Sequence, residues 1–286
     1  IASLLMVVVG IGWFGVQTGI IGESVYAIMQ DIAPGIAFSP SIWMIITGVL
    51  MALVTIYGYK AIVWLNRIAM PVLIVIMVLL VFQIVTEYSD QLSNFQPTND
   101  ITFFAAVNNL PAGMAAALIL SMDYGRYAKQ NKGANIAPPI SLFIFFNLLA
   151  IIGIISAAVA GTWDPVQILV TLGLGVPGLV MLILAAWTTN VSNIYVASLA
   201  LSNIAGWSRV STAVIASIAG IIVAVAGIYS LAGLEAFLNI ITAFLIPTSG
   251  VLIVDYFIRN KQHILVDELF KQENSAYWFT NGWNIR

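Results

Sequence analysis

The sequence contains no cysteine, a single histidine and only 8% charged residues. Without cysteine there are no disulfides, no thiolate metal sites and no thiol nucleophile. The one imidazole, His263, lies in a polar stretch toward the end of the 286 residues. A formal charge of −2 with 10 basic residues leaves no basic stripe for nucleic acid. What the chain has in excess is apolar surface: 61% hydrophobic residues and a mean hydropathy of +1.01. Soluble domains are about 45–50% apolar and about 25% charged, and disordered chains are poorer still in apolar residues. The chain reads as an all-α, polytopic integral membrane protein.

Ile1 stands within a run that is already apolar, with no basic region, apolar core and small-residue cleavage site in succession. The last residues, Gly282-Trp283-Asn284-Ile285-Arg286, stop without a turn or polar tail. The sequence is therefore expected to be an internal piece of a longer membrane protein. A spanning helix needs about 20 mainly apolar residues. That rule predicts eight spans, at roughly 3–29, 41–58, 68–86, 102–122, 137–161, 176–203, 210–230 and 236–258. Together, 1–258 would be the eight-helix portion of a single domain, and 259–286 a cytoplasmic tail leading to a further helix. Two connections are richer than turns. Tyr59 to Arg67 is amphipathic enough to lie at the interface, and Asp164 to Gly173 suits a short surface helix.

Charge gives the orientation. Passing alternately across the membrane, all 10 Lys and Arg fall on one side: Lys60, Arg67, Arg126, Lys129, Lys132, Arg209, Arg259, Lys261, Lys271 and Arg286. The other side receives Glu23, Asp31, Glu87, Asp90, Asp100, Asp164 and Glu235. The positive-inside rule makes the basic side cytoplasmic, so both ends are expected there, in the plasma membrane. A wrong span count would scramble this partition.

Polar groups within a bilayer need partners, so clusters of them are candidate functional sites. The first is Trp13-Phe14-Gly15-Val16-Gln17. Trp13 and Gln17 are one helical turn apart on one face. An indole and an amide suit a planar heteroaromatic ring with amide-like edges, or else ordinary helix packing. The second is Asn108-Asn109-Leu110-Pro111-Ala112-Gly113-Met114. Pro and Gly there predict either a broken helix that turns its ends toward a ligand or a simple kink. The third runs from Ala185 through Trp187, Thr188, Thr189 and Asn190 to Asn193. Ala185, Thr188 and Thr189 share a face and offer a carbonyl and two hydroxyls to a small hard cation; Asn190 and Asn193 add amides for a substrate. Hydroxyls that bond back to their own helix are the competing explanation. No Asp or Glu falls at mid-span depth, which favours Na+ over a proton as a coupling ion.

Along these residues the chain resembles the nucleobase–cation symporter family, the permeases of cytosine, purines, allantoin and hydantoins. The similarity rests on Trp13-Phe14-Gly15-Val16-Gln17, Asp123-Tyr124-Gly125-Arg126-Tyr127-Ala128-Lys129, Trp187-Thr188-Thr189-Asn190, the stretch from Ile246-Pro247-Thr248-Ser249-Gly250 to Asp255-Tyr256-Phe257, and Trp283-Asn284-Ile285-Arg286. The order and spacing of these strings cover almost the whole chain. The resemblance implies twelve helices with a five-plus-five inverted repeat like that of the leucine transporter, of which these eight would be the third to the tenth. It implies that Trp13 stacks on the substrate and Gln17 bonds its edge, with Gly113, Met114 and Ala116 at neighbouring pocket positions. It also implies that Ala185, Thr188 and Thr189 form half of a sodium site. Cytosine permeases have Asn where Ala185 stands and Asp-Asn where Val191-Ser192 follows, and many relatives carry an aromatic in place of Met114.

The function expected is import of a nucleobase or related planar heterocycle by cation symport with alternating access, by a monomer in the lipid bilayer. A non-transporting receptor or structural subunit is the alternative. No carboxylate ring or filter-like loop suggests a channel. No nucleophile–base pair suggests an enzyme.

Overall fold

The computed structural model describes residues 2–56, 59–96, 131–269, 271 and 275–277. The expected fourth span, 102–122, lies outside them, and so do the strings around Asn108, Asp123 and Trp283. Among the described residues the chain is helical: α1 (Ala2–Ile32), α2 (Pro40–Ile56), α3 (Tyr59–Glu87), α4 (Asn131–Ile140), α5 (Asn147–Ala160), α6 (Pro165–Thr171), α7 (Gly175–Ala205), α8 (Arg209–Val225) and α9 (Leu231–Ile253). A π-helical segment, Ser141–Phe146, joins α4 to α5, and another, Val254–Arg259, extends α9.

These helices cover the other seven expected spans. Five segments among the described residues are long and apolar enough to cross a membrane, while α2 and α8 are shorter. At 17 residues each, those two sit at the lower limit for crossing. Their ends follow from local chemistry. Ser208 and Ser230 cap α8 and α9 by accepting from Ser211 N and Gly233 N. Gly161 and Gly206 close α5 and α7 at φ of 68° and 71°, a left-handed conformation that glycine adopts without strain.

One expected connection is a correction. Tyr59 to Arg67 does not lie along an interface; it is the first part of α3, continuous with the span that follows. Ile62 is buried and Leu65 half-buried in a cluster with Phe14, Ile21, Met51 and Val191, so the segment's apolar side finds protein rather than headgroups. The second connection forms α6 as expected. Asp164 Oδ1 accepts from Val166 N at 2.8 Å, Pro165 opens the helix, and Ile168, Leu169 and Leu172 are buried against neighbouring helices.

α1, α2, α7 and α8 form a block in which each helix packs against the other three. α1 is its hub, and its five glycines set how closely the others approach. A Cβ on Gly10 would stand 2.7 Å from the Asn193 carbonyl oxygen of α7, and one on Gly22 would stand 3.0 Å from Pro40 O at the start of α2. Gly15 faces Gly220 O of α8, while Gly12 and Gly19 receive the rings of Phe237 and Tyr229. In lipid, where no hydrophobic force drives helices together, such close approach is what gives packing energy. α9 adds a narrow stripe, Phe237, Ile241, Leu245 and Ser249, with strict four-residue spacing. That is one ridge along the helix surface, and it lies against Met6, Val9 and Val16 of α1.

Contacts sort the helix ends into two sets. Arg209 donates to Thr55 O at 3.1 Å and Ile56 O at 2.8 Å, and Asn203 to Ser3 Oγ at 3.1 Å. At the opposite ends, Tyr229 donates to Glu23 at 2.9 Å and Tyr88 to Thr171 O at 3.1 Å. This division is the one the charges draw, with Arg209 in the first set and Glu23 in the second.

Candidate functional site

Trp13 and Gln17 lie on one face of α1, as their spacing requires. Trp13 is half-buried, and its ring meets Phe237 of α9 edge-on, with centroids 5.7 Å apart and planes at 82°. This T-shaped contact fixes the orientation of the indole. Phe237 was not among the residues picked from the sequence. Its only signal there is the four-residue series it shares with Ile241 and Leu245. Gln17 Oε1 is buried and has no hydrogen-bond partner. A buried amide oxygen left without a donor costs about 1–3 kcal/mol, so this atom is set up for a donor that the described residues do not provide.

The third polar string lies on α7. The hydroxyls of Thr188 and Thr189 both donate to the Ala185 carbonyl, at 2.9 and 3.0 Å. Three oxygens are thus gathered on one turn, with Thr188 buried and Thr189 exposed. The bonds are the helix back-bonding that such residues commonly make. They also define what a cation would do here. Each hydroxyl keeps its lone pairs, whereas Ala185 O is occupied by two hydroxyl protons. An ion reaching that carbonyl must turn both hydroxyls, a rotation about a single bond in each side chain. The donor set of neutral oxygens suits Na+ chemically, and Ala185 O, Thr188 Oγ1 and Thr189 Oγ1 are the atoms of this helix that could hold one. Trp187 is half-buried in the same cluster as Phe14 and Ile62, and its Nε1 has no acceptor among the described residues.

Asn190 is fully buried. Its Nδ2 donates to Phe14 O at 3.1 Å and Thr18 Oγ1 at 3.0 Å, both on α1, with Met51 Sδ of α2 at 3.5 Å. The Phe14 carbonyl can only accept, which settles which side of the amide carries the nitrogen. Asn190 Oδ1 accepts from Asn193 Nδ2 at 3.4 Å. The structure therefore brings the Trp13–Gln17 turn of α1 and the Ala185–Asn193 stretch of α7 side by side. The two phases of one string differ: Thr189 faces outward, while its neighbour Asn190 is spent inside the block. Gly113, Met114 and Ala116 lie outside the described residues. The carboxylate nearest this region in α1, Glu23, is held by Tyr229 near the helix end. Among the described residues no cluster of His, Asp and Glu could hold a metal ion.

Of the buried side-chain atoms without a partner among the described residues, Gln17 Oε1, Trp187 Nε1 and Ser249 Oγ belong to the strings named in the sequence. Similarity to other proteins points the same way. The profile of a family described as permease for cytosine/purines, uracil, thiamine, allantoin matches residues 1–286. Cytosine permeases of Escherichia coli strains O157:H7 and K12 are 28% identical over 263 residues, covering 91% of this chain and 60% of theirs. The hydantoin permease of Microbacterium maritypicum is 24% identical over 300 aligned residues, covering 95% of this chain and 60% of its own. The chain thus spans 60% of the length of these curated relatives.

Proposed function

The chain belongs to the family of permeases for cytosine/purines, uracil, thiamine and allantoin, and from that premise we propose that it serves a secondary active transporter of a nucleobase or related planar heterocycle. The observation that carries this reading is Gln17 Oε1, a buried acceptor without a donor, one turn from an indole held in place by Phe237. A ring N–H supplies that donor, and the indole supplies a stacking face, an interaction worth about 1–3 kcal/mol per base. Asn193 lies beside this turn on α7, and Gly113, Met114 and Ala116 are assigned to the same pocket by resemblance alone.

Na+ is the proposed co-substrate, bound by Thr188, Thr189 and Ala185 together with oxygens from other helices; a proton is the alternative coupling ion. Alternating access then follows if the remaining helices rock against the α1–α2–α7–α8 block and expose the site to each side in turn. The basic side faces the cytoplasm of a plasma-membrane transporter, which acts as a monomer.

The test is uptake of labelled cytosine, uracil, adenine and hydantoin into vesicles holding the full-length protein, with and without an inward sodium gradient. Accumulation of one of them that rises with sodium is the expected result. Equal accumulation in both conditions removes sodium coupling; no uptake of any removes the heterocycle. A receptor or structural subunit is the second reading. Gln17→Leu abolishes uptake if the protein is a transporter, whereas a receptor or structural role leaves the variant's function intact.

A further inference from the structure

We propose that Asn190 is a positioning residue: it locks the Trp13–Gln17 turn of α1 to the helix that carries the ion-facing hydroxyls, and it does not touch substrate. The inference rests on the reading above. Its warrant is the disposition of one amide. Asn190 has no exposed surface, and its nitrogen reaches Phe14 O, Thr18 Oγ1 and Met51 Sδ, which already exceed its two N–H bonds. Its oxygen receives Asn193 Nδ2. No N–H is left over for a ligand, and the oxygen's second lone pair is enclosed with the rest of the side chain.

Phase around the helices gives this amide its consequence. On α7, Asn190 stands about 150° from the midpoint of Thr188 and Thr189, at 3.6 residues per turn. One face of the helix therefore offers hydroxyls while nearly the opposite face grips α1. On α1, the gripped atoms belong to Phe14 and Thr18, which bracket Gln17 and adjoin Trp13. Because Phe14 and Thr18 lie one turn apart on a single face, holding both fixes the rotation of α1 about its own axis. That rotation decides where Trp13 and Gln17 point. Gly10 tightens the arrangement, since its missing side chain lets α1 rest on the Asn193 carbonyl. A cation that draws in Thr188 and Thr189 shifts or stiffens α7 at this turn. Asn190 passes that change to the ring-binding face of α1 with no substrate contact of its own.

The claim is a coupling free energy between two sites, so it is tested as one. In purified full-length protein, the dissociation constant of whichever labelled heterocycle the wild type takes up is measured in sodium-free buffer and in saturating sodium. Asn190→Ala and Thr18→Val are each expected to weaken binding less in sodium-free buffer than in sodium. Both should lose at least about fivefold of the gain that sodium produces, a factor at the low end of ordinary coupling. Thr18→Ser, which restores the hydroxyl, should recover it, and Gln17→Ala should weaken binding alike in both buffers. Thr18→Val is nearly isosteric and keeps the test usable if Asn190→Ala does not fold. The inference is overturned if Asn190→Ala weakens binding equally with and without sodium, as a direct ligand would, or if Thr18→Val keeps the full sodium gain. A wild type that binds none of the heterocycles, or binds one equally in both buffers, overturns the parent reading and this one together.

Discussion

The four-helix block of α1, α2, α7 and α8 differs sharply from the helices that flank it. In α1, 61% of the most apolar window is buried within the molecule; in the segment from Asn135 to Ala160 the figure is 6%. Both are apolar and both are helical, so hydrophobicity does not separate them. Small residues and polar ties do. The block has glycines where α1 meets α2, α7 and α8, and its side chains bond across helices: Asn190 to Phe14 and Thr18, Thr55 to Val191 O at 3.4 Å, Thr212 to Ser198 O at 2.9 Å. The flanking helices offer bulky residues such as Phe82, Phe143, Phe145 and Phe244 to their surroundings. In a bilayer, apolarity buys entry, whereas shape and hydrogen bonds decide which helices stay together.

The contrast is sharpest at glycine. Gly10→Val should destabilise the protein by about 1–3 kcal/mol or more, because the added atoms meet the Asn193 backbone and Ala197, which cannot yield without moving α7. Gly153→Val in α5 has nothing within 4 Å and should stay within about 0.5 kcal/mol of wild type. Thermal unfolding of the two purified variants measures the difference. If both shift equally, the block is no more tightly packed than its surroundings.

A second comparison concerns the polar tie at the basic end. Arg209 donates to two carbonyls at the end of α2 and lies 5.6 Å over the ring of Tyr195. The end of α2 carries the negative pole of that helix, so the guanidinium also meets a favourable field. Arg209→Ala should cost about 2 kcal/mol, within the range for hydrogen bonds to charged groups. Arg209→Lys should recover less than half of it, since a single ammonium nitrogen replaces the rigid planar fork whose two nitrogens each reach one carbonyl. Full recovery with Lys would reduce the tie to simple charge.

The smallest expected effect lies at the other end. Tyr229→Phe removes a single hydrogen bond to Glu23 while leaving the ring in the notch at Gly19, and should cost about 1 kcal/mol. Combining it with Glu23→Gln in a double-mutant cycle isolates the pair. Additive losses would mean that the two side chains act independently.

Much of this was legible beforehand. Seven of the eight expected spans coincide with described helices, because the length of an apolar run is fixed by bilayer thickness and little else. The division of helix ends by charge recurs in the contacts of Arg209 with Ile56 and of Tyr229 with Glu23. The pairing of Trp13 with Gln17 followed from helical spacing. Three things were not legible. Tyr59 to Arg67 has the composition of an interfacial segment, and only the presence of α7 beside Ile62 makes it part of a span. Phe237 is one aromatic among 14 phenylalanines, unremarked until Trp13 is found against its edge. Asn190 and Asn193 look equivalent as a pair of amides in a polar string, yet one is wholly enclosed.

The amino-acid order alone determined that this is a helical membrane protein, where seven of its helices run apart from the start of α3, and that Trp13, Gln17 and the Thr188–Thr189 pair sit on definable faces. These depend on periodicity and transfer energy, which are local. Which face of α7 meets α1 was decided only in three dimensions. Adjacent residues on a helix are turned 100° apart, so a short polar string presents groups in every direction, and the crossing of glycine-lined helices selects which of them is buried as a tie and which is left facing outward.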